Sequence, residues 1–136
     1  GLIDDFKGLS TNFRLVFQAI IASLFLIFEK NYFLSSNFEF TYLILFIFSL
    51  IIFVGIINTM NFMDGIDGLV CSCMIIILLT ISIKYDVEFL PITFSLLGFL
   101  FFNWSPARVF MGDVGSTFLG FIYAVILLRS NSIYES

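Results

Sequence analysis

The chain has 136 residues, of which 60% are hydrophobic, 19% aromatic and only 12% charged. Soluble domains carry about 25% charged residues, so this composition excludes an ordinary soluble domain and indicates an integral membrane protein. The net charge of −4 comes without a basic patch, which excludes nucleic acid as a partner. Because the apolar residues extend along the whole length, we predict a single membrane domain over residues 1–136.

The apolar residues form runs that are long enough to be candidate membrane spans. Each run is apolar on all sides of a helix, as is typical of helices in lipid or in the interior of a bundle. The alternating polarity of membrane β-strands is absent. We therefore predict an all-α, polytopic transmembrane helix bundle with about five spans. The predicted spans cover residues 13–33, 40–57, 69–83, 89–102 and 115–128.

The segments that connect these spans differ in polarity. Residues 30–39 and 84–88 hold a few charges and small polar residues, whereas 1–14, 58–68 and 103–116 are rich in acids, amides and glycines. With five spans, the three rich segments fall on one side of the membrane. We therefore predict a single site on that face. Positive residues are divided equally between the two sides, so their count leaves the orientation open.

The segment 58–68 carries the densest polar cluster, in which four side chains recur every three residues: Asn58, Asn61, Asp64 and Asp67. Polar side chains between two membrane-embedded runs are costly unless an ion, ligand or water binds them, so they predict a functional site. Helical spacing would place the first three near one face. Gly65 and Gly68 would let the backbone turn and let a ligand approach closely.

The polar side chains of this face offer oxygen ligands, and the chain contains no His. Carboxylate and amide oxygens suit a hard cation, so we predict Mg²⁺, with Mn²⁺ as the alternative, completed by substrate phosphate and water. Asp113 stands between Gly112 and Gly115 just before the fifth predicted span, where a helix N-terminus would favour an anion. Arg108 adds a cation beside it.

Three segments together resemble the polyprenyl-phosphate N-acetylhexosamine-1-phosphate transferases, which belong to glycosyltransferase family 4. The first is the acidic pair Asp4-Asp5, which continues through Leu-Ser and Arg-Leu-x-x-Gln. The second is Asn58-x-x-Asn61-x-x-Asp64-Gly-Ile-Asp67-Gly68-Leu69, and the third runs from Asn103 through Pro-Ala-x-x-Phe-Met-Gly to Asp113-x-Gly-Ser. The segments follow the order of the family, and the resemblance covers essentially the whole chain.

The resemblance implies transfer of a sugar 1-phosphate from a UDP-N-acetylhexosamine to undecaprenyl phosphate, with release of UMP. This is the first membrane step of cell-envelope polysaccharide synthesis. The short segment after the acidic pair resembles the branch that starts O-antigen, enterobacterial common antigen or teichoic acid linkage units more than the peptidoglycan branch. The family further implies a multi-pass protein of the bacterial inner membrane whose site faces the cytoplasm. A homodimer is left open.

The resemblance also implies that this chain is an internal segment of a longer transferase and inactive alone, since the family carries His in a later cytoplasmic loop. Asp4 and Asp5 would orient or deprotonate the attacking lipid phosphate, by direct attack or in a double displacement through an Asp. Asn61 and Asp113 would hold the metal. The predicted substrate-binding residues are Asn58, Asp64, Asp67, which would lie near the uracil, Asn103 and Arg108.

Two other classes of function remain as alternatives. Asp64-Gly-Ile-Asp67-Gly is similar to the motif of the CDP-alcohol phosphotransferases, but Leu69 and Val70 follow where that motif has Ala-Arg. A cation transporter or channel with an acidic site is the non-enzymatic alternative. It predicts carboxylates near the middle of a span, whereas these lie at the ends of spans.

Overall fold

A computed structural model describes residues 11–29, 39–84 and 89–134 of the chain. Within those ranges there are five helices and no strands, which confirms the all-α prediction. The helices are α1 (Thr11–Phe28), α2 (Glu39–Met63), α3 (Leu69–Lys84), α4 (Leu90–Asn103) and α5 (Gly112–Tyr134).

The five helices differ in whether they are long enough to cross a membrane. Thr11–Phe28, Phe40–Met63 and Gly112–Arg129 are sufficiently long and apolar. The other two helices, α3 and α4, are apolar but have only 16 and 14 residues, which corresponds to roughly 24 and 21 Å. The three long helices fit the prediction of a polytopic membrane protein. The two shorter helices, α3 and α4, lie between α2 and α5 in the sequence.

Two predicted boundaries are wrong in ways that affect the site. We predicted that the second span ends at residue 57, but α2 continues to Met63, because Asn58–Met63 contains no glycine or proline that would end a helix. The fifth helix begins at Gly112 and not at residue 115. Asn58 and Asn61 therefore lie on the last turns of α2, and Asp113 lies in the first turn of α5. The first helix ends at Phe28, and residues 30–33 lie outside the described ranges.

The described chain divides into two compact units, and the first consists of α1 and the part of α2 up to residue 56. Ala22, Leu26 and Phe53 are fully buried there. The rings of Phe25 and Phe53 lie 5.7 Å apart at a tilt of 53°, a favourable geometry for two aromatic side chains. Apolar contacts therefore hold α1 against this part of α2.

The second unit contains the end of α2 and all of α3, α4 and α5. One face of α3, including Met74 and Leu78, is fully buried in its core. The thiol of Cys71 donates a hydrogen bond to the Leu96 carbonyl of α4 at 3.2 Å, and Cys71 and Cys73 are free thiols. At Gly120 of α5, a Cβ would lie only 2.9 Å from the Ile57 Cα atom of α2. The glycine therefore allows these two backbones to approach closely.

Candidate active site

The second of the three family segments forms a tight turn over residues 64–68, between α2 and α3. We call it the central turn. The backbone N–H of Asp64 donates to the carbonyls of Met60 and Asn61 at 3.2 and 3.3 Å. The backbone of Asp64 therefore closes the last turn of α2. The turn then ends at Gly68, whose φ of 71° is in the left-handed region that favours glycine. Gly65 has no positive φ. Of the two glycines expected to turn the backbone, only Gly68 adopts a conformation that requires glycine.

The loop after α4 folds back over the end of that helix. The Arg108 and Val109 N–H groups both donate to the Phe102 carbonyl, at 2.9 and 3.2 Å. The Asn103 side-chain amide donates to the Val109 carbonyl at 2.9 Å. The chain then reaches Gly112, the second residue with a positive φ (66°) in the described ranges. This loop therefore places Asp113 at the start of α5.

Two hydrogen bonds join the central turn to the loop after α4. The Gly68 N–H donates to the Asn103 Oδ1 atom at 3.1 Å across 35 residues. The Ala107 N–H donates to the Asp67 Oδ2 atom at 3.0 Å across 40 residues. The second and fourth connections, two of the three segments predicted to form a single site, therefore contact each other. The N-terminal segment with Asp4 and Asp5 lies outside the described residues.

The end of α2 and the start of α5 bring the Asp64 carboxyl close to Gly112 and Asp113. Burial raises the pKa of the Asp64 carboxyl, a hydrogen bond from the Gly112 backbone partly lowers it, and the negative charge of Asp113 raises it further. Two carboxylates in such a place favour a nearby cation, because like charges disfavour ionisation of both. A pair of carboxylates offers the oxygen ligands that Mg²⁺ prefers.

The remaining predicted residues have different environments. Asn58 and Asn61 are half-buried on α2, Asp67 is half-buried, and Arg108 is exposed. Asn103 is buried, with 3% exposure. Within residues 11–29, 39–84 and 89–134, no three acids or cysteines converge as a metal site.

The site also contains backbone groups that no side-chain motif predicts. The N–H groups of Gly68 and Ala107 and the Gly112 backbone all bind side-chain oxygens of the central turn or of α4. A backbone N–H carries no side-chain signature. The available signal was a glycine directly after or just before an acid. It points to Gly65, Gly68 and Gly112, and no signal points to Ala107.

Comparison with known proteins decides the family. The model of glycosyl transferase family 4 matches residues 1–131. The chain belongs to glycosyl transferase family 4. A probable undecaprenyl-phosphate N-acetylglucosaminyl 1-phosphate transferase of Bacillus subtilis (strain 168) is 34% identical over 150 aligned positions, which cover 100% of this chain and 41% of the relative.

Other members of family 4 carry a different name. A phospho-N-acetylmuramoyl-pentapeptide-transferase of Prochlorococcus marinus subsp. pastoris is 30% identical over 161 positions, covering 98% of this chain and 45% of the relative. The protein of that name from Streptococcus uberis is 48% identical over 81 positions, covering 54% of this chain and 24% of its own length. No solved structure matches the chain. The chain spans less than half the length of these relatives.

Membership of family 4 confirms the resemblance found in the sequence. Together with the long apolar helices and the bacterial relatives, it indicates a bacterial membrane protein. Both branches of the family occur among these relatives, so the preference for the branch outside peptidoglycan synthesis stays a prediction.

Proposed function

We propose that the complete protein containing this chain transfers a sugar 1-phosphate from a UDP-sugar to undecaprenyl phosphate and releases UMP. The observation that carries the proposal is the joining of the central turn and the loop after α4, which brings Asp64 beside Asp113 in a member of family 4. Family membership favours this reaction over the CDP-alcohol and transporter alternatives.

The sugar is proposed to be an N-acetylhexosamine. The names of the relatives specify N-acetylglucosaminyl 1-phosphate in one case and a phospho-N-acetylmuramoyl-pentapeptide in the other. N-acetylhexosamine phosphate is the chemistry that both share. The short segment after the acidic pair favours N-acetylglucosamine as the first sugar to test.

Asp64, just after α2, and Asp113, in the first turn of α5, are proposed to hold Mg²⁺. The prediction from the sequence assigned the metal to Asn61 and Asp113, and the proximity of Asp64 to Asp113 adds a second carboxylate to that set. Bound Mg²⁺ would neutralise charge between two anionic phosphates, which is the main requirement of phosphoryl transfer.

The other site residues act on substrate charge and position. The backbone of the first turn of α5 and the exposed Arg108 offer positive electrostatic potential for the donor diphosphate. Asp4 and Asp5 are proposed to orient the lipid phosphate. A phosphate monoester with a second pKa of about 6 is mostly dianionic at neutral pH, so a strong base is not required, and direct attack and double displacement are both compatible with these residues.

An assay of the complete protein in membranes tests the reaction. UMP release from UDP-N-acetylglucosamine should require both undecaprenyl phosphate and Mg²⁺. UDP-N-acetylmuramoyl-pentapeptide and a CDP-linked alcohol serve as the competing donors. Turnover of the pentapeptide donor instead would assign the protein to the peptidoglycan branch, and turnover of the CDP-linked donor would refute the proposal.

The site is further proposed to face the cytoplasm. Single cysteines in place of Ser105 and Ser36, introduced into a protein whose native Cys71 and Cys73 are replaced by Ala, test this. The cysteine at 105 should resist an impermeant thiol reagent in intact cells and react after lysis, whereas the cysteine at 36 should react in intact cells. Labelling of both in intact cells would contradict the proposed orientation.

A further inference from the structure

Asn103 uses both ends of its side-chain amide to bind backbone. Its Oδ1 atom accepts from the Gly68 N–H at 3.1 Å, and its Nδ2 atom donates to the Val109 carbonyl at 2.9 Å. The side chain is 3% exposed, so little of its surface is available to a ligand. Through these two hydrogen bonds the buried amide of Asn103 joins the central turn to the loop after α4.

Two further contacts reinforce the same junction. The Asp67 carboxylate accepts from the Ala107 N–H at 3.0 Å. At Gly68 a Cβ would lie 3.5 Å from the Asn103 carbonyl oxygen and 3.4 Å from a Leu100 methyl group, so the central turn rests directly on the end of α4. We call the set of Asp67, Gly68, Asn103, Ala107 and Val109 the inter-loop cluster.

The inter-loop cluster lies between the two acids of the site along the chain. Asp64 precedes its first member by three residues, and Gly112, whose backbone bonds to Asp64, follows its last member by three residues. Each acid is therefore tied to the cluster through a short stretch of backbone. A loosened cluster would let the start of α5 move relative to the end of α2.

We propose that Asn103 is a positioning residue that sets the separation of Asp64 and Asp113, and not a residue that binds the nucleotide sugar. This inference rests on the proposed function, and it replaces the substrate-binding role that the sequence predicted for Asn103. Asn103 acts through the backbone of Gly68 and Val109. Its loss should therefore impair turnover and leave the affinity for the donor intact.

The test compares Asn103→Ala with Thr93→Val in the complete protein. Thr93 is a matched control because it lies on the same helix, is fully buried, and donates its hydroxyl only within α4, to the Phe89 carbonyl at 2.8 Å. Both variants lose a buried hydrogen-bonding group, but only Asn103→Ala breaks the inter-loop cluster. If Asn103→Ala does not fold, Asn103→Asp, which keeps the acceptor for Gly68, takes its place.

Two measurements decide the outcome. Asn103→Ala should lower kcat by about 10²-fold, because small displacements of reacting groups have effects of that size, with an unchanged KM for the UDP-sugar. Amide hydrogen exchange at Gly68 and across 107–109 should become faster. Thr93→Val should change neither quantity.

A raised KM with unchanged kcat would assign Asn103 to substrate binding and overturn the inference. Unchanged amide exchange at Gly68 and across 107–109 in Asn103→Ala would also overturn the inference. Absence of sugar phosphate transfer in the unmodified protein would instead refute the proposed function, and the exchange measurement, which needs no activity, would still decide whether Asn103 positions the loops.

Discussion

Residues 11–56 and 57–134 achieve burial by different means. In the first unit the buried side chains are apolar: Ala22, Leu26 and Phe53. All buried polar side chains among those that the structure describes lie in the second unit: Ser82, Thr93, Asn103 and Ser116. The second unit also has hydrogen bonds that join residues 25, 35 and 40 positions apart.

The difference shows where this protein needs precise geometry. Lipid is as apolar as the side chains of a membrane helix, so apolar contacts favour association without fixing an exact position. Hydrogen bonds are directional, and two of the three occur where the central turn meets the loop after α4. The first unit is therefore held by apolar packing, and the second is held by directional hydrogen bonds as well.

The largest expected effect is that of Asp113→Asn on turnover. The substitution nearly preserves shape and removes one of the two charges proposed to hold Mg²⁺. Turnover should fall by at least about 10²-fold, the usual effect of losing one electrostatic contact to the transition state. The protein should still insert and fold, because the change lowers the amount of charge near the membrane. The measurement is UMP release by the complete protein over a range of Mg²⁺ concentrations.

Asp86→Asn is the control for this experiment. It makes the same chemical change in residues 84–88, a connection that carries none of the three family segments. It should leave turnover unchanged. Near-normal activity of Asp113→Asn at every Mg²⁺ concentration, at matched expression, would remove Asp113 from the metal site.

The next largest effect is expected at the crossing of α2 and α5. Gly120→Ala would place a methyl group 2.9 Å from the Ile57 Cα atom and 3.2 Å from the Met60 Cβ atom, so the two backbones must separate. Overpacking of this kind costs about 1–3 kcal/mol. The loss should appear as a lower thermal midpoint in detergent.

Gly98→Ala is the matched control for Gly120→Ala. It also lies within a helix, but its added Cβ would meet nothing within 4 Å, so the midpoint should not fall. Equal loss of stability in the two variants would show that the effect arises from helix glycines in general and not from the close approach of α2 and α5.

A smaller effect is expected in the first unit. Phe53→Leu removes the ring contact with Phe25 and keeps the site apolar, so the free energy of unfolding should fall by about 0.5–1.5 kcal/mol. Turnover of the complete protein should not change once expression is matched. A large loss of kcat would show that packing in 11–56 also sets the geometry of the site, which would break the comparison between the units.

The smallest effect is expected at Ser82. This side chain is 6% exposed, and its hydroxyl has no hydrogen-bond partner in the part of the chain that the structure describes. Removal of an unsatisfied buried hydroxyl in Ser82→Ala should stabilise the protein by up to about 1 kcal/mol. Thr93→Val, which breaks a satisfied hydrogen bond, should shift the thermal midpoint in the opposite direction.

Much of this architecture was predictable because membrane helices have a strong compositional signal. The helices and the meeting of the second and fourth connections follow from hydropathy and parity. The end of α2 was not predictable in the same way, since the amides Asn58 and Asn61 suggest the start of a connection although both fit a helix. The two hydrogen bonds of Asn103 were also not predictable, because its partners are backbone groups of Gly68 and Val109 that a side-chain motif does not reveal.

The short α4 has a consequence for the surrounding lipid. Its 14 residues extend roughly 21 Å, whereas the hydrocarbon layer is about 30 Å thick. Trp104, 63% exposed at its end, is of a type that settles at the headgroup level. A helix of this length that crossed the bilayer would leave a hydrophobic mismatch, which thinning of the surrounding bilayer relieves. We therefore expect lipids with shorter acyl chains to stabilise the packing of α4 against its neighbours.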